Sequence, residues 1–468
     1  MHSYDFIVIG SGAAGLTAAF TANGIGKKVL LIEKNKPGGE CTWTGCIPSK
    51  ALIHLAEKYQ AVADLGIAYK PDIPAVLDQV RSVIDHVYAH ESIETLRKAG
   101  IDVIIGAAKF VGPKTVEVAG ASFTGKRIVI CTGSQPLVPA IPGLAETPHL
   151  TNENLFTQKD LPGSLLVLGA GAIGVEMGQA LNRLGISIDL VDRGKLVLSK
   201  DDPDHTTLLM DQLEKEGVHL HMETTVQSVR KTDQGVEVTV DGPEGPGILK
   251  AAGLLVALGR TVHLDSLDLE KAGINYNNQG IVVDPYLQTT VKGVFAAGDC
   301  IGPYRFSHMA NAQGMLAVQN GLLPINLRMK YNAVPWCTFT SPEIAHTGMS
   351  EEEAWEVHGD RILIYTHDFA QLDRAITAPG TVGQVKIITD RKARILGASV
   401  IGDRAGEILS EIQVAMTQGI KLSKFARIIH PYPTYAEVLT KMGKKAAIYQ
   451  MRQNPLVRLL RGKPKADR

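Results

Sequence analysis

Short apolar runs that lead into glycine-rich turns are the clearest feature of the hydrophobic pattern. Residues 6–9 lead into Gly-Ser-Gly-Ala-Ala-Gly at 10–15, and residues 165–168 lead into Gly-Ala-Gly-Ala-Ile-Gly at 169–174. A run without alternating polar positions is typical of a strand that is buried on both faces, as in a parallel sheet. In each copy a helical stretch and a second apolar run follow. The pattern therefore predicts a repeated strand–turn–helix–strand unit.

The glycines of each unit have the spacing that a dinucleotide site needs. The first glycine permits the tight turn, the second lets the backbone approach a pyrophosphate, and the third lets the helix pack closely on the strand. An acidic residue, Glu33 or Asp192, lies 23 positions after the first glycine in both copies and can accept hydrogen bonds from ribose hydroxyls. We predict a first site at Gly10, Gly12, Ala13, Ala14, Gly15, Glu33 and Lys34, and a second at Gly169, Gly171, Ile173, Gly174, Asp192 and Arg193.

Two dinucleotide sites in one chain indicate a flavin, FAD, together with a nicotinamide nucleotide. A carboxylate at Asp192 would repel a 2′-phosphate, which favours NADH. Arg193 follows directly and could pair with that phosphate. The sequence favours NADH over NADPH and leaves the choice open.

Cys41 and Cys46 lie where a further helical stretch begins. Two cysteines five positions apart at a helix start can close a disulfide across one distorted turn, and a helix N-terminus lowers the pKa of a thiol. A structural zinc site would need further Cys or His ligands at matching spacing, which the sequence lacks. The pattern predicts a redox pair. Cys131, Cys300 and Cys337 are expected to be buried, inert thiols.

Composition narrows the class of protein. Among 468 residues, 48 Lys and Arg balance 48 Asp and Glu, so the chain lacks the basic excess of a nucleic-acid binder. No stretch approaches the roughly 18 apolar residues of a membrane span. The N-terminus does not resemble a signal peptide, and five cysteines argue against a secreted disulfide framework. We expect a cytoplasmic protein without a membrane span.

The run Gly-Gly-Glu-Cys-Thr-Trp-Thr-Gly-Cys-Ile-Pro-Ser-Lys at 38–50 resembles the class I pyridine nucleotide–disulfide oxidoreductases, which include lipoamide dehydrogenase, glutathione reductase and mercuric reductase. Residues 128–134, 256–260, 293–299 and 338–343 match further motifs of that family. The resemblance implies an α/β fold with two Rossmann-like dinucleotide-binding domains and a C-terminal α+β dimerisation domain. Its expected domains are 1–150 with 282–332 for FAD, 151–281 for NAD(P), and 333–468 for the interface.

The resemblance also implies an order of electron flow, from NAD(P)H to the flavin and then to a Cys41–Cys46 disulfide. By position, Cys46 faces the flavin and Cys41 attacks the substrate, while Lys50 lies near the flavin and pairs with Glu176. No structural metal is expected, although the two cysteines could bind a soft metal ion transiently as substrate. The implied flavin contacts include Gly45, Lys50, Ala108, Thr132, Gly133, Ser134, Gly298, Asp299, Ser307 and His308, and the implied nicotinamide contacts include Val226 and Gly259.

The C-terminal segment departs from the thiol-reducing members, which read His-x-His-Pro-Thr-x-x-Glu and use the second His as acid and base. Here Tyr432 holds that position, while Glu437 is kept. Tyrosine titrates near 10 and histidine near 6.5, so tyrosine is a far poorer base at neutral pH. His430 could stand in, or could be a solvent-facing or capping residue. In the family the partner subunit supplies this segment, so a homodimer is expected.

Tyrosine at this position resembles the mercuric reductases, but residues 463–468 contain no vicinal cysteine pair of the kind found there, and we expect no N-terminal metal-binding domain before the first unit. The expected acceptor is a soft metal ion or a disulfide-type compound. The alternatives are a dihydrolipoyl dehydrogenase and a low-turnover flavin redox sensor or complex subunit. The stretch 444–468, with eight basic residues and one acidic residue, is either a solvated terminus or a contact for an anionic surface or partner.

Overall fold

A computed structural model describes residues 2–68, 70–378 and 381–460, without the side chains of 458–460. The last part of the basic stretch, 461–468, lies outside these residues. The chain forms two compact units, Met1–Arg193 with Glu223–Met329 and Gly194–Met222 with Lys330–Arg468. The three domain boundaries expected from the sequence stay a prediction.

The described residues form strands that alternate with helices in both repeats and that follow one another without an intervening helix at 102–136 and 219–261. In chain order they are β1 (His2–Ile9), β2 (Val29–Glu33), β3 (Asp102–Ile105), β4 (Lys109–Gly112), β5 (Thr115–Val118), β6 (Ala121–Ile130), β7 (Gln135–Pro136), β8 (Ser164–Leu168), β9 (Ser187–Val191), β10 (His219–His221), β11 (Thr225–Thr232), β12 (Gly235–Gly242), β13 (Gly245–Ala251), β14 (Gly253–Val256), β15 (Arg260–Thr261), β16 (Tyr276–Asn277), β17 (Gly280–Ile281), β18 (Val294–Ala296), β19 (Pro335–Thr338), β20 (Glu343–Gly348), β21 (Ile362–Asp368), β22 (Gln384–Asp390) and β23 (Ile395–Gly402).

The helices are α1 (Ala13–Gly24), α2 (Gly39–Trp43), α3 (Cys46–Asp64), α4 (Ile73–Tyr88), α5 (Ile93–Lys98), α6 (Asn152–Leu155), α7 (Ala172–Arg183), α8 (Pro203–Lys215), α9 (Leu269–Ala272), α10 (Ser307–Leu322), α11 (Glu351–His358), α12 (Asp373–Ile376), α13 (Ala405–Thr417), α14 (Glu437–Gln453) and α15 (Pro455–Leu460). Short 3-10 helices add Asp265–Leu267, Asp299–Ile301, Gly359–Arg361, Phe369–Gln371 and Leu422–Arg427.

The first unit contains both copies of the repeat. In the first copy β1 pairs in parallel with β2 and β6, and β18 pairs in parallel with β6. In the second copy β8 pairs in parallel with β9 and β14. All five residues of β2 are buried, which is why this strand shows no polar alternation. Both predicted strand–turn–helix–strand units are therefore present.

Helix α10 packs on α1 because both helices carry small residues where they meet. A Cβ added at Gly314 would stand 2.3 Å from the carbonyl oxygen of Ala14, so the two backbones are almost in contact. This packing fixes the position of α10, whose first residue is Ser307.

The second unit is built on an antiparallel sheet of strand order β19-β20-β23-β22-β21. Residues of the sheet, α13 and α14 share one core, which includes Phe369, Val400, Leu409 and Leu439. An antiparallel sheet with helices packed against it is an α+β arrangement, and the predicted fold class is confirmed. Among the helices described, none combines the length and apolar character needed to span a bilayer.

Candidate active site

The first and third glycines of each turn are required by close backbone packing. A Cβ at Gly10 would lie 2.3 Å from a carbonyl oxygen across the sheet, and one at Gly15 would lie 1.8 Å from the oxygen of Gly10. The second turn repeats both approaches, at 2.5 Å for Gly169 and 1.9 Å for Gly174. Gly10 and Gly169 also have φ of +95° and +105°. Side chains are excluded at all four positions.

The middle glycines instead face open space. A Cβ at Gly171 would meet no described atom within 4 Å, and one at Gly12 would meet only the Cα of Gly39, at 3.8 Å. Gly12 and Gly171 are also the residues that precede α1 and α7, so the amides at these helix N-termini point toward that space. A phosphate can approach such a helix end closely. The two turns therefore fit the pyrophosphates of FAD and of a nicotinamide nucleotide.

The acidic residue of each repeat is bonded to its own glycine turn. The amide of Ser11 donates to Glu33 Oε2 at 2.9 Å, and the amide of Ala170 donates to Asp192 Oδ2 at 2.7 Å. The Ser11 hydroxyl adds a 2.6 Å bond to Glu33. Both carboxylates thus stabilise the turn that they follow in sequence. Their bonding to ribose hydroxyls stays a prediction.

The expected flavin contacts gather at one edge of the first sheet. Thr132, Gly133 and Ser134 follow β6, and Gly298 and Asp299 follow the neighbouring β18. Because β1, β6 and β18 run in parallel, the loops after their carboxyl ends meet at the same edge. The Ser134 hydroxyl donates a 2.6 Å bond to Asp299, and the Gly298 amide donates a 2.8 Å bond to Gln313.

The remaining predicted cofactor residues lie on both repeats. Ala108 is buried in the loop that joins β3 to β4, Lys34 is exposed after β2, and His308 follows Ser307 at the start of α10. In the second repeat Ile173 lies in the first turn of α7, Arg193 is exposed, Val226 lies on β11, and Gly259 has open space beside it.

Cys41 and Cys46 lie on two successive helices. Cys41 is in α2, and Cys46 begins α3 after a break at Thr44 and Gly45. The sequence had suggested a single distorted turn at one helix start. Both cysteines are free thiols in this structure. Gly45 lies in this break and directly precedes α3.

The pKa values of the two thiols are shifted in opposite directions. A hydrogen bond from Cys41, against the effect of burial, lowers the pKa of Cys46 to about 6, with help from Ser307 and the charge of Lys50. The Ser307 hydroxyl lies 3.4 Å from Cys46 Sγ. The same bond to Cys46, together with burial, raises the pKa of the Cys41 thiol. The contacts therefore favour a thiolate at Cys46 and a protonated thiol at Cys41.

Lys50 and Glu176 form an ion pair with 2.7 Å between Nζ and Oε2. The Glu176 side chain is only 6% exposed, so the ammonium group compensates a buried charge. The pair joins α3, which begins with Cys46, to α7, which begins at the second glycine turn.

A polar cluster beside Cys41 was not predicted. Arg260 donates to both oxygens of Glu40 and, at 2.8 Å, to Ser134 Oγ. Asn152 also donates to Glu40, at 2.5 Å. Glu40 directly precedes Cys41 within the matched motif, which is a signal that could have singled it out. No motif or spacing in the sequence singles out Asn152 as a residue of the site.

The other three cysteines differ from this pair in burial and in thiol pKa. Cys131 and Cys300 are buried, and burial raises the pKa of both thiols, of Cys300 to about 11. Cys337 is half-buried rather than fully buried as expected.

His430, Tyr432 and Glu437 belong to the second unit. The ring of His430 is held between Thr440, at 2.6 Å from Nδ1, and Glu411, at 3.1 Å from Nε2. Its side chain is 7% exposed, so it is not the solvent-facing residue that the sequence left open. Both ring nitrogens are engaged by residues of its own chain.

Tyr432 is exposed and bonds to a residue that the sequence gave no reason to select. Its hydroxyl donates to Asp373 Oδ2 at 3.1 Å, and this bond raises the pKa of Tyr432. Glu437 begins α14 and lies 3.9 Å from Lys441 Nζ through Oε1. Its Oε2 is buried and has no hydrogen-bond partner among the described residues. Glu437 therefore does not orient Tyr432 in this structure.

Comparisons with known proteins agree with this geometry. Residues 4–315 match the family described as pyridine nucleotide-disulphide oxidoreductase, and residues 334–443 match its dimerisation domain. The chain is 34% identical over 453 residues to a mercuric reductase of Streptomyces lividans, covering 93% of this chain and 94% of that protein. It is 32% identical over 452 residues to a dihydrolipoyl dehydrogenase of Thermus scotoductus, covering 95% and 97%.

A solved structure is also similar. The Cu(II) complex of the HOCl-induced flavoprotein disulfide reductase RclA from Escherichia coli superimposes with a TM-score of 0.86 at 29% identity, covering 95% of this chain and all of that one.

Proposed function

The chain belongs to the pyridine nucleotide-disulphide oxidoreductase family, and on that basis we propose that it passes electrons from NADH, through FAD and the Cys41–Cys46 pair, to a soft metal ion. The members of this family are flavoenzymes that use FAD and a pyridine nucleotide. Bound FAD supplies hydride acceptance from the nicotinamide and two-electron delivery to a disulfide. The observation that carries the choice of acceptor is the Tyr432–Asp373 hydrogen bond at the acid/base position.

The two glycine turns divide the cofactors. FAD is assigned to residues 1–150 with 282–332, where the open space beside Gly12 admits a phosphate to the first turn. The nicotinamide nucleotide is assigned to residues 151–281, where the open space beside Gly171 admits a phosphate to the second turn. NADH is the assigned donor because the Asp192 carboxylate would face a 2′-phosphate.

The cysteine pair is poised to bind a soft acceptor. Hydrogen bonds from Cys41 and Ser307 and the charge of Lys50 favour the thiolate form of Cys46. Thiolates are the ligands that soft metal ions prefer. The assignment has Cys46 facing the flavin and Cys41 reaching the acceptor, with Lys50 and Glu176 keeping a fixed charge pair between α3 and α7.

A metal acceptor needs less base catalysis than a thiol does. A dithiol substrate must lose protons as it attacks a disulfide, and Tyr432 is a poor base because its bond to Asp373 raises its pKa further. His430 is unsuited to replace it, since Thr440 and Glu411 occupy its ring nitrogens. The mercuric reductase relatives and the Cu(II) complex of RclA, by their names, support a metal acceptor.

A homodimer is assigned because residues 334–443 match a dimerisation domain. Exposed apolar side chains on the second unit also favour burial by a partner, among them Ile429, which is 95% exposed. In that assembly Tyr432 and Glu437 would stand beside Cys41 of the partner chain. A reactive dithiol that must remain reducible fits a cytoplasmic location.

The test is an anaerobic NADH titration of the purified flavoprotein, followed by visible absorbance, with Cys41→Ser and Cys46→Ser in parallel. We expect a long-wavelength band from the thiolate–flavin pair that survives Cys41→Ser and disappears in Cys46→Ser. Loss of the flavin colour without this band in the wild type would contradict the role of the disulfide.

An acceptor screen then separates the candidate reactions. We expect sustained NADH consumption with Hg(II) or Cu(II), abolished in both cysteine variants, and slow turnover with lipoamide. Faster turnover with lipoamide than with either metal would favour a dihydrolipoyl dehydrogenase. If none of these acceptors supports sustained NADH consumption, a low-turnover redox sensor or complex subunit would be favoured.

A further inference from the structure

We infer that Asn152 and Glu40 are positioning residues that hold the two ends of the Cys41–Cys46 turn together and thereby set its dithiol–disulfide equilibrium. The inference rests on the proposed use of this cysteine pair. It concerns contacts that surround the pair and that no motif of the sequence predicted.

The side-chain amide of Asn152 bridges both ends of the turn. Nδ2 donates to Glu40 Oε1 at 2.5 Å and to the carbonyl oxygen of Thr44 at 3.3 Å. Glu40 directly precedes Cys41, and Thr44 lies two residues before Cys46. Asn152 is 7% exposed and starts α6, so packing restricts its side chain. One buried side chain thus connects the carboxylate of Glu40, beside Cys41, to the backbone carbonyl of Thr44, near Cys46.

Arg260 fixes the Glu40 side of this bridge. Its guanidinium donates to both Glu40 oxygens, and its Nε donates to Ser134 Oγ at 2.8 Å. Burial raises the pKa of Glu40, and the charge of Arg260 opposes that rise. The Glu40 carboxylate is therefore held in one orientation toward Asn152.

The interior of the turn is anchored separately. The Thr42 hydroxyl donates to Glu91 Oε2 at 2.7 Å, and the Trp43 indole donates to the carbonyl oxygen of Pro37 at 2.8 Å. These bonds do not involve the sulfur atoms. The turn therefore keeps its shape when the disulfide is open.

A preformed turn favours disulfide closure because less conformational entropy is lost when the second sulfur bonds. Closure by an external disulfide RSSR yields the Cys41–Cys46 bond and two RSH molecules. Counted from the fully protonated dithiol, two S–H bonds break on the protein and two form on the products, one S–S bond breaks in RSSR and one forms between Cys41 and Cys46, and two electrons and two protons pass to RSSR. With oxidised dithiothreitol as RSSR, the two new thiols belong to one molecule. Loosening the turn lowers the equilibrium constant of this reaction.

The experiment equilibrates the FAD-loaded protein anaerobically with oxidised and reduced dithiothreitol at a series of ratios. Free thiols are then trapped by alkylation, and the Cys41–Cys46 disulfide is quantified by peptide mass spectrometry. We expect Asn152→Ala to lower the equilibrium constant about tenfold, a potential about 30 mV less negative. Asn152→Asp keeps the shape but removes the donor and faces Glu40, and we expect at least the same shift.

Glu153→Ala is the matched control, because Glu153 is an exposed residue of the same helix that makes no bond to the turn through its side chain among the described contacts. It should leave the constant unchanged. A folded Asn152→Ala protein with a constant within twofold of wild type would overturn the inference.

Glu40→Gln keeps the inference testable if the Asn152 variants do not fold. It retains an oxygen for Asn152 and loses the ion pair with Arg260, and we expect a decrease of about threefold. A constant unchanged in that variant would also overturn the inference. If wild-type Cys41 and Cys46 form no disulfide at any ratio, the proposed function fails instead, so the two failures are distinguishable.

Discussion

The hydroxyl of Tyr432 donates a 3.1 Å hydrogen bond to the carboxylate of Asp373. An ionised acceptor favours the protonated phenol, so the bond raises the pKa of Tyr432 from its ordinary value near 10. At neutral pH this side chain is therefore neutral and remains a donor. It occupies the position at which the thiol-reducing members of the family have a histidine, and it is unsuited to remove a proton from a thiol there.

Asp373→Asn should lower the pKa of Tyr432 toward 10, because the substitution removes the negative charge that opposes phenolate formation. The measurement is an ultraviolet difference titration of phenolate absorbance, with Tyr432→Phe used to identify the contribution of this residue. An unchanged pKa would show that the bond to Asp373 does not control the ionisation of Tyr432 in solution.

Tyr432→His should increase dihydrolipoamide oxidation about 100-fold, since a positioned general base contributes roughly that much or more. NADH-dependent reduction of a metal acceptor should not increase. The rates are measured with both substrates on the same preparations, and Tyr432→Phe is the control. A large loss of dihydrolipoamide oxidation in Tyr432→Phe would contradict this account, because it would mean that tyrosine serves as the base.

Local spacing in the sequence predicted the two glycine turns and their acids. Gly10, Gly15 and Glu33 lie within one strand–turn–helix–strand unit, and the close packing at the two glycines follows from the covalent order of that unit. The repeat in the sequence supported this prediction, and the same close backbone approaches recur in the second turn at Gly169 and Gly174. The Lys50–Glu176 pair was predicted only through the resemblance to a family, since the two residues lie 126 positions apart.

Other contacts of the site could not be predicted because tertiary structure alone brings their partners together. Asn152 and Glu40 are 112 positions apart, and Asp373 and Tyr432 are 59 apart. No periodicity or motif relates residues at such separations. The engagement of His430 by Glu411 likewise depends on the packing of α13 near the C-terminal segment, so its availability could not be judged from spacing.

Lys50→Met and Glu176→Gln should shift the pKa of Cys46 in opposite directions. The Lys50 charge lowers that pKa and the Glu176 charge raises it, so the first variant should raise the pKa of Cys46 and the second should lower it, each relative to the protein that carries Cys41→Ser alone. The measurement is the rate of alkylation of Cys46 in the reduced protein against pH, in a Cys41→Ser background for all variants so that one thiol reports.

The sign of the pH profile follows from thiolate chemistry. Only the thiolate reacts, so the rate rises with pH and levels off above the pKa of Cys46. The exposed pair of Lys98 and Glu94, also 2.7 Å apart, supplies control variants that should leave the profile unchanged. Equal shifts from Lys50→Met and Lys98→Met would mean that the effect is one of general charge rather than of the pair beside Cys46.

Asp192→Asn should increase kcat/KM for NADPH about tenfold and change that for NADH much less. The carboxylate repels a 2′-phosphate, whereas its Oδ2 also accepts the bond from the Ala170 amide that stabilises the second turn. Asparagine keeps an oxygen for that bond while it removes the charge, and a tenfold change corresponds to ~1.4 kcal/mol, within the range of one partly screened charge pair.

Arg193→Ala tests the opposing contribution in the same assay. The Arg193 side chain is exposed beside Asp192, and its loss should reduce kcat/KM for NADPH without affecting NADH. Steady-state rates of the wild type and of both variants with each nucleotide, at one saturating acceptor concentration, give the six values needed. If Asp192→Asn lowers kcat/KM equally for both nucleotides, the residue acts through the turn rather than through charge repulsion, and the assignment of NADH loses its basis.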